Sequence, residues 1–389
     1  RLLTQALALN EVDLSLLPAA QQDSLHHLRE TLRALDAEMR LPADTPARRN
    51  ERALADLLSQ TRTDLNEAIE AVRATHPEFM PEGLRLSEIL ALIPSGGVLV
   101  APVVTLHGSA IFVVPAGTQS VTLDHVLWVE AFKHADLQRL LRGPAEAPQW
   151  GGWLGAYFNA RTEGHAWFDA IETTGQVLWD RMLAPLVGRL TALHAKHVLL
   201  MPQGGLGLLP LHAAWREVDG KRRYFLDDFP VTYVPSAYAL SVSQERLRDE
   251  HRHEHTLFAM VNPTEDLAFA PAEGEQVSRL FGEHNSHVLI DNDAQLDVVK
   301  QAVAGYLHFA CHGFYQWQDP MQSGLILANG EPLTLAQIIG HLKLGSTRLV
   351  TLSACETGIT EFNASPDEYL GLPAGFLQAG APAVISTLW

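Results

Sequence analysis

From Arg1 to about Glu78, leucine and alanine recur three and four positions apart and glycine is scarce, as in DSLHHLRETLRALDAEMR and ERALADLLSQTRTDLNEAIEAVRA. Such spacing lines one face of a helix. Residues 1–79 are therefore expected to form long amphipathic helices, either a helical linker or the end of a helical-repeat array. The pattern changes at Pro81, where short β-rich runs separated by turn residues, GGVLVAPVVTLHGS, AIFVVPAG and QSVTLDHVLWVE, predict an antiparallel meander. A long helix over roughly 156–184 comes next. Strand, loop and helix then alternate: HVLLMPQGG, FPVTYVPS and a helix from about Ala237, followed by HTLFAMVNP and a helix across GEQVSRLF. SHVLI, a helix near 294–303, GYLHFACHG, SGLILANG, the helix LTLAQIIGHL, TRLVTLSACETG, the helix YLGLPAGFLQAG and APAVISTLW complete the series. Strands apolar on both faces and joined by helical crossovers indicate an α/β fold with a mostly parallel sheet flanked by helices.

Composition narrows the function classes. The chain holds 389 residues, more than one ordinary core accommodates, so two or three units are expected. A formal charge of −17 repels phosphate backbones and anionic lipid, which argues against direct nucleic-acid binding or membrane association. No run approaches the ~20 apolar residues of a membrane span. Cys311 and Cys355 are the only cysteines, a frequency that fits a reducing, cytoplasmic setting and leaves both thiols available for chemistry. The chain opens on Arg1 with no secretory signal pattern and reads as a piece of a longer protein.

Candidate chemistry collects at two strand ends. GYLHFAC is an apolar strand that delivers His312 and Gly313 past its carboxyl end, and RLVTLSAC does the same for Cys355. Ligands of parallel sheets sit at those ends. A cysteine nucleophile needs a base within hydrogen-bond reach, and imidazole can take the thiol proton and later give one to a leaving amine. Gly313 and Gly358 would let a substrate backbone approach and free local N–H groups for an oxyanion. The interval from His312 to Cys355 is close to the ~50 residues of the caspase pattern, and Ala354-Cys355-Glu356-Thr357-Gly358, A-C-x-x-G, keeps its Ala-Cys pair with the glycine one position later.

HFACHG at 308–313, SGLILANGEPLTLAQI at 323–338, LVTLSACETG at 349–358 and GLPAGFLQAGAPAVISTLW at 371–389 together resemble a CHAT domain, a caspase-like cysteine peptidase family. VLLMPQGGLGLLPLHAAW and VTYVPSAYAL extend the resemblance upstream to about residue 85. The resemblance implies a caspase-like fold, with 80–250 an inactive first half and 251–389 the catalytic half, and a family pattern that runs on past Trp389. It implies His312 as catalytic base, Cys355 as nucleophile and the Gly313 and Cys355 backbone N–H groups as oxyanion donors. It implies a protein or peptide substrate, no metal or organic cofactor, and a bacterial setting. Control would come from a regulatory protein or from attached tetratricopeptide repeats. Metacaspase-like relatives carry an acidic residue two positions before the nucleophile to hold a basic P1 side chain, and this chain has Ser353 there. Asp319, Glu356, Asp367 and Glu368 are the acidic residues that could supply charge to a specificity pocket instead.

Other patterns yield less. Cys311 precedes His312 on the strand and is expected in the core. His308 and His312 share a strand face ~13 Å apart, too far for one metal ion. HRHEH at 251–255 reads as a charged linker, and GGLGLLP at 204–210 lacks the third glycine of a dinucleotide fingerprint. No G-x-S-x-G elbow or Walker A lysine is present. Two other functions remain open: a silent CHAT pseudo-protease acting as an interaction module, and an acyl transferase or amidase using the same dyad.

Overall fold

The computed structural model describes residues 17–39, 48–75, 84–143, 152–158, 164–249, 254–360 and 370–388. It divides into two compact units, 1–83 and 84–389. In the first, helices α1 (Ala19–Met39) and α2 (Glu51–Arg73) bury Leu35, Leu54 and Leu58 against one another. Asn50 starts α2 by accepting the Ala53 N–H at 2.8 Å, which satisfies one of the donors a helix start leaves free.

The second unit carries two five-stranded sheets. The first comprises β1 (Gly97–Val104), β2 (Ser109–Pro115), β3 (Val126–Val129), β4 (His197–Leu200) and, after a hairpin of β5 (Trp215–Val218) and β6 (Lys221–Tyr224), β7 (Val231–Tyr233). Its order is β3-β2-β1-β4-β7. This sheet is mixed rather than mostly parallel: tight turns reverse β1, β2 and β3 into an antiparallel meander, whereas β4 and β7 pair parallel. The β5–β6 hairpin was not expected from the sequence. It turns on Asp219 and Gly220, both with positive φ (54° and 73°), the geometry that Asp-Gly favours in a two-residue turn.

The long helix expected over 156–184 is interrupted. Residues 152–158 form α3 and 164–178 form α4, but 179–183 take the wider π geometry before α5 (Ala184–Ala192) begins. Pro185 explains the change, since it lacks an N–H and its ring crowds the carbonyl one turn back. Helix α6 (Ala237–Arg248) closes this half, with Ser236 accepting the Ala239 N–H.

The second sheet is wholly parallel. Its strands are β8 (Leu257–Val261), β9 (Ser286–Ile290), β10 (Tyr306–Ala310), β14 (Leu349–Ser353) and β15 (Val384–Ile385), in the order β15-β14-β10-β8-β9. Between β10 and β14 the chain makes a small antiparallel sheet of β11 (Gly313–Phe314), β12 (Gly324–Ile326) and β13 (Pro332–Thr334). The helix expected near 294–303 is a single turn, Leu296–Val299. Alternation along each strand sorts the core into two faces. Leu257, Ala259, Val261 and Ala310 meet α7 (Ala270–Phe281) on one side. On the other, Met260, Leu307, Phe309 and Leu352 meet α8 (Leu335–His341) and α9 (Leu372–Gln378).

Phe309 of β10 and Phe376 of α9 are fully buried, with ring centroids 5.7 Å apart. Replacing Phe376 by alanine should cost about 3–5 kcal/mol by loss of transfer energy and opening of a cavity. Leu280→Ala, at a position 77% exposed, should stay within ~0.5 kcal/mol. Urea denaturation of the two variants measures the contrast.

Candidate active site

Parallel pairing in register matches Ala310 of β10 with Ser353 of β14. His312 and Cys355 each lie two positions further on, so the fold carries both candidate residues at the carboxyl tips of adjacent strands. The loops touch at Gly313: a Cβ there would overlap the carbonyl oxygen of Cys355 and come within 3.0 Å of Thr357 Cγ2. Glycine is thus required for the backbones to approach. The Ile326 N–H donates to the His312 carbonyl oxygen at 2.8 Å, which makes the following Gly313–Leu325 pair the non-hydrogen-bonded kind. The Gly313 N–H consequently points away from β12.

The two thiols differ sharply. Cys355 is exposed, and Cys311 is buried among the residues that cover α8 and α9. Burial pushes the Cys311 thiol up to about 12, so it stays protonated in the core as its strand position implied. His308, on the opposite face of β10, has Nε2 3.0 Å from a Glu273 carboxylate oxygen of α7. Desolvation lowers its pKa and the carboxylate opposes that shift.

The His312 ring makes its hydrogen bond with Asp266 rather than with Cys355 among the described residues: Nε2 lies 3.0 Å and 3.2 Å from the two carboxylate oxygens. Apo sites of this kind often tighten only around substrate. Asp266 sits on the loop that follows β8, the strand beside β10, and was missed in the sequence. Its carboxyl is held below the ordinary range by the Thr264 hydroxyl first and by His312 second. The signal that could have found it is its place: N-P-T-E-D follows directly on a third parallel strand whose tip adjoins that of β10.

The acidic residues considered for a specificity pocket go to different places. The Glu356 carboxylate accepts the Tyr315 N–H at 2.6 Å and the Tyr157 hydroxyl, so it ties the cysteine loop to the histidine loop and to α3. Glu356 also has φ 60°, a left-handed conformation uncommon for a residue with a side chain. Asp319 caps the short turn at 320–322, accepting the Met321 N–H at 3.2 Å. Ser353 is the last residue of β14, and Asp367 and Glu368 lie outside the described residues. Gly358 does not serve an oxyanion: its N–H donates to Thr387 O at 2.5 Å, and a Cβ would lie 2.7 Å from that same oxygen. Its glycine answers to packing. Thr387 further secures the loop by donating its hydroxyl to Ala354 O and its N–H to Thr357 Oγ1 at 3.1 Å.

A small apolar cavity of about 10 Å³, room for roughly one water, lies between the histidine and cysteine loops and the helices α3 and α4. Trp317 and Ile359 line it from the two loops, and Trp153, Tyr157 and Trp167 from the helices. No group of three or more His, Cys, Asp or Glu side chains placed to hold a metal occurs among the described residues. In the HRHEH run, His255 stacks on Phe281 at 4.4 Å, and 251–253 lie outside the described residues.

The second sheet thus makes this an α/β protein with a histidine and an exposed cysteine past neighbouring parallel strand ends. The CHAT domain family model matches residues 172–389, and the chain belongs to that family, which is caspase-like and related to peptidases. No curated protein matches the chain. No helix among the described residues is long and apolar enough to cross a membrane.

The contrast between the thiols gives a direct check. Brief treatment of the native protein with iodoacetamide should add one carbamidomethyl group, located at Cys355 by peptide mass mapping, and Cys311 should react only after denaturation. Modification of Cys311 under native conditions would contradict the burial described above.

Proposed function

We propose that the chain is a cysteine endopeptidase of caspase-like fold that cleaves protein substrates through Cys355 and His312. The observation that carries this reading is the Ala310–Ser353 register, which sets an exposed cysteine and a histidine on adjacent strand tips. His312 takes the Cys355 proton, and the sulfur attacks the scissile carbonyl carbon to form a C–S bond. The Gly313 and Cys355 N–H groups stabilise the resulting oxyanion. The tetrahedral species collapses as His312 protonates the leaving amine, which leaves a thioester. Water, deprotonated by His312, then releases the acid and the free thiol.

The neutral Ser353 and the engagement of Glu356 with Tyr315 and Tyr157 leave neither free to hold a basic P1 side chain, which favours an apolar one. Control by an attached repeat region or a protein partner in the bacterial cytoplasm completes the proposal. A silent interaction module is the second reading, favoured by the lack of a His312–Cys355 hydrogen bond among the described residues.

Intact-mass analysis after treatment with peptidyl acyloxymethyl ketones of varied P1 separates these readings. One adduct on the wild type, absent in Cys355→Ala and His312→Ala, is expected, and it should form faster with leucine or phenylalanine at P1 than with arginine. No adduct from any member of the panel, while iodoacetamide still modifies Cys355, would favour the silent module.

A further inference from the structure

We infer that Asp266 is a positioning residue for His312, its carboxylate accepting the Nε2–H and so leaving Nδ1 as the basic nitrogen. The inference rests on the dyad reading above and adds a third group to it. The contact is 3.0 Å to one oxygen and 3.2 Å to the other, so both face the same ring nitrogen. A carboxylate in that place stabilises the imidazolium formed when the thiol gives up its proton, and it selects one tautomer beforehand.

The loop that carries Asp266 is built to hold it. Asn262, at the tip of β8, is buried and donates its N–H to Ala310 O at 2.8 Å, which ties the loop to β10 just before His312. The Asn262 side chain bridges the loop: Oδ1 accepts the Leu267 N–H at 2.8 Å, and Nδ2 donates to Asp291 Oδ1 at 3.0 Å. Asn262 and Glu265 both have positive φ, 54° and 62°. Asparagine tolerates that conformation, but at Glu265 it is held against the local preference. The Thr264 hydroxyl donates to Asp266 Oδ1 at 2.5 Å and fixes the carboxylate.

Stability does not account for the pair. The His312 and Asp266 side chains are 42% and 62% exposed, and ion pairs so exposed contribute little to folding. A strained loop that delivers a carboxylate to one ring nitrogen is better explained by what it does to the ring. The same exposure limits the effect, which should fall well short of the ~10⁴-fold loss seen when a buried triad carboxylate is neutralised.

The test compares wild type, His312→Ala, Asp266→Asn and Asp266→Glu by inactivation kinetics with the most reactive acyloxymethyl ketone, alongside thermal melting. For Asp266→Asn the expected result is a fall in the maximal inactivation rate of about 10-fold or more at unchanged inhibitor affinity and unchanged Tm, with Asp266→Glu recovering most of the rate. An Asp266→Asn rate equal to wild type, with His312→Ala dead, would overturn the inference and leave the dyad standing. Equal losses in both Asp266 variants, or losses that follow a drop in Tm, would assign the loop a structural part and also overturn it. Failure of the wild type to react at all, with Cys355 open to iodoacetamide, would remove the dyad and this inference with it.

Discussion

Parallel pairing between β10 and β14 is the constraint on which the rest of the second unit depends. Register along a strand is set by which face each side chain must occupy, and a slip of one residue would turn Phe309 and Leu352 away from α8 and α9. The same ladder that buries those side chains decides where the two strands end. Core packing and the meeting of His312 with the Cys355 loop are thus one choice, made by hydrophobic residues that take no part in chemistry. β8 obeys the same ladder, with Val261 opposite Ala310, and so a third loop arrives beside the first two.

Solvation then gives chemically alike groups different characters. Cys311 and Cys355 follow neighbouring strands of the same sheet by one and two residues, but one lies beneath helices and the other faces solvent. His308 and His312 differ in the same way across the end of β10. Whether packed elements cover the residue at the strand end, more than any single contact, separates a structural thiol or imidazole from an accessible one.

Much of this was legible in the chain. The apolar runs of β8 and β10 are unambiguous because both of their faces are buried, β14 shows itself by the alternation that buries Val350 and Leu352, and His312 and Cys355 stand where such strands must stop. The mixed character of the first sheet was only half visible: the meander showed in its turns, but the partners of β4 and β7 depend on long-range pairing that periodicity does not encode. The Asp219-Gly220 turn had a clear local signal and was passed over, and Pro185 likewise marked the break in the long helix. Asp266 was hidden for another reason. An acidic residue in a loop has no pattern of its own, and its meaning comes from a neighbour far along the chain that only the sheet brings close. Glu356 misled in the opposite direction, since its proximity to Cys355 suggested a pocket whereas the carboxylate turns back onto Tyr315 and Tyr157.

That last arrangement places a limit on how the sequence can change. The Glu356 carboxylate is shared by a backbone N–H of one loop and a phenol from a helix some two hundred positions upstream, so the acid at 356 and the phenol at 157 form a single heritable unit. Losing the phenol alone would leave a half-covered carboxylate short of a donor, and losing the acid alone would take one acceptor from both the Tyr315 N–H and the phenol. Divergence at either position is therefore tied to divergence at the other, and the pair should drift together through any lineage that keeps this loop.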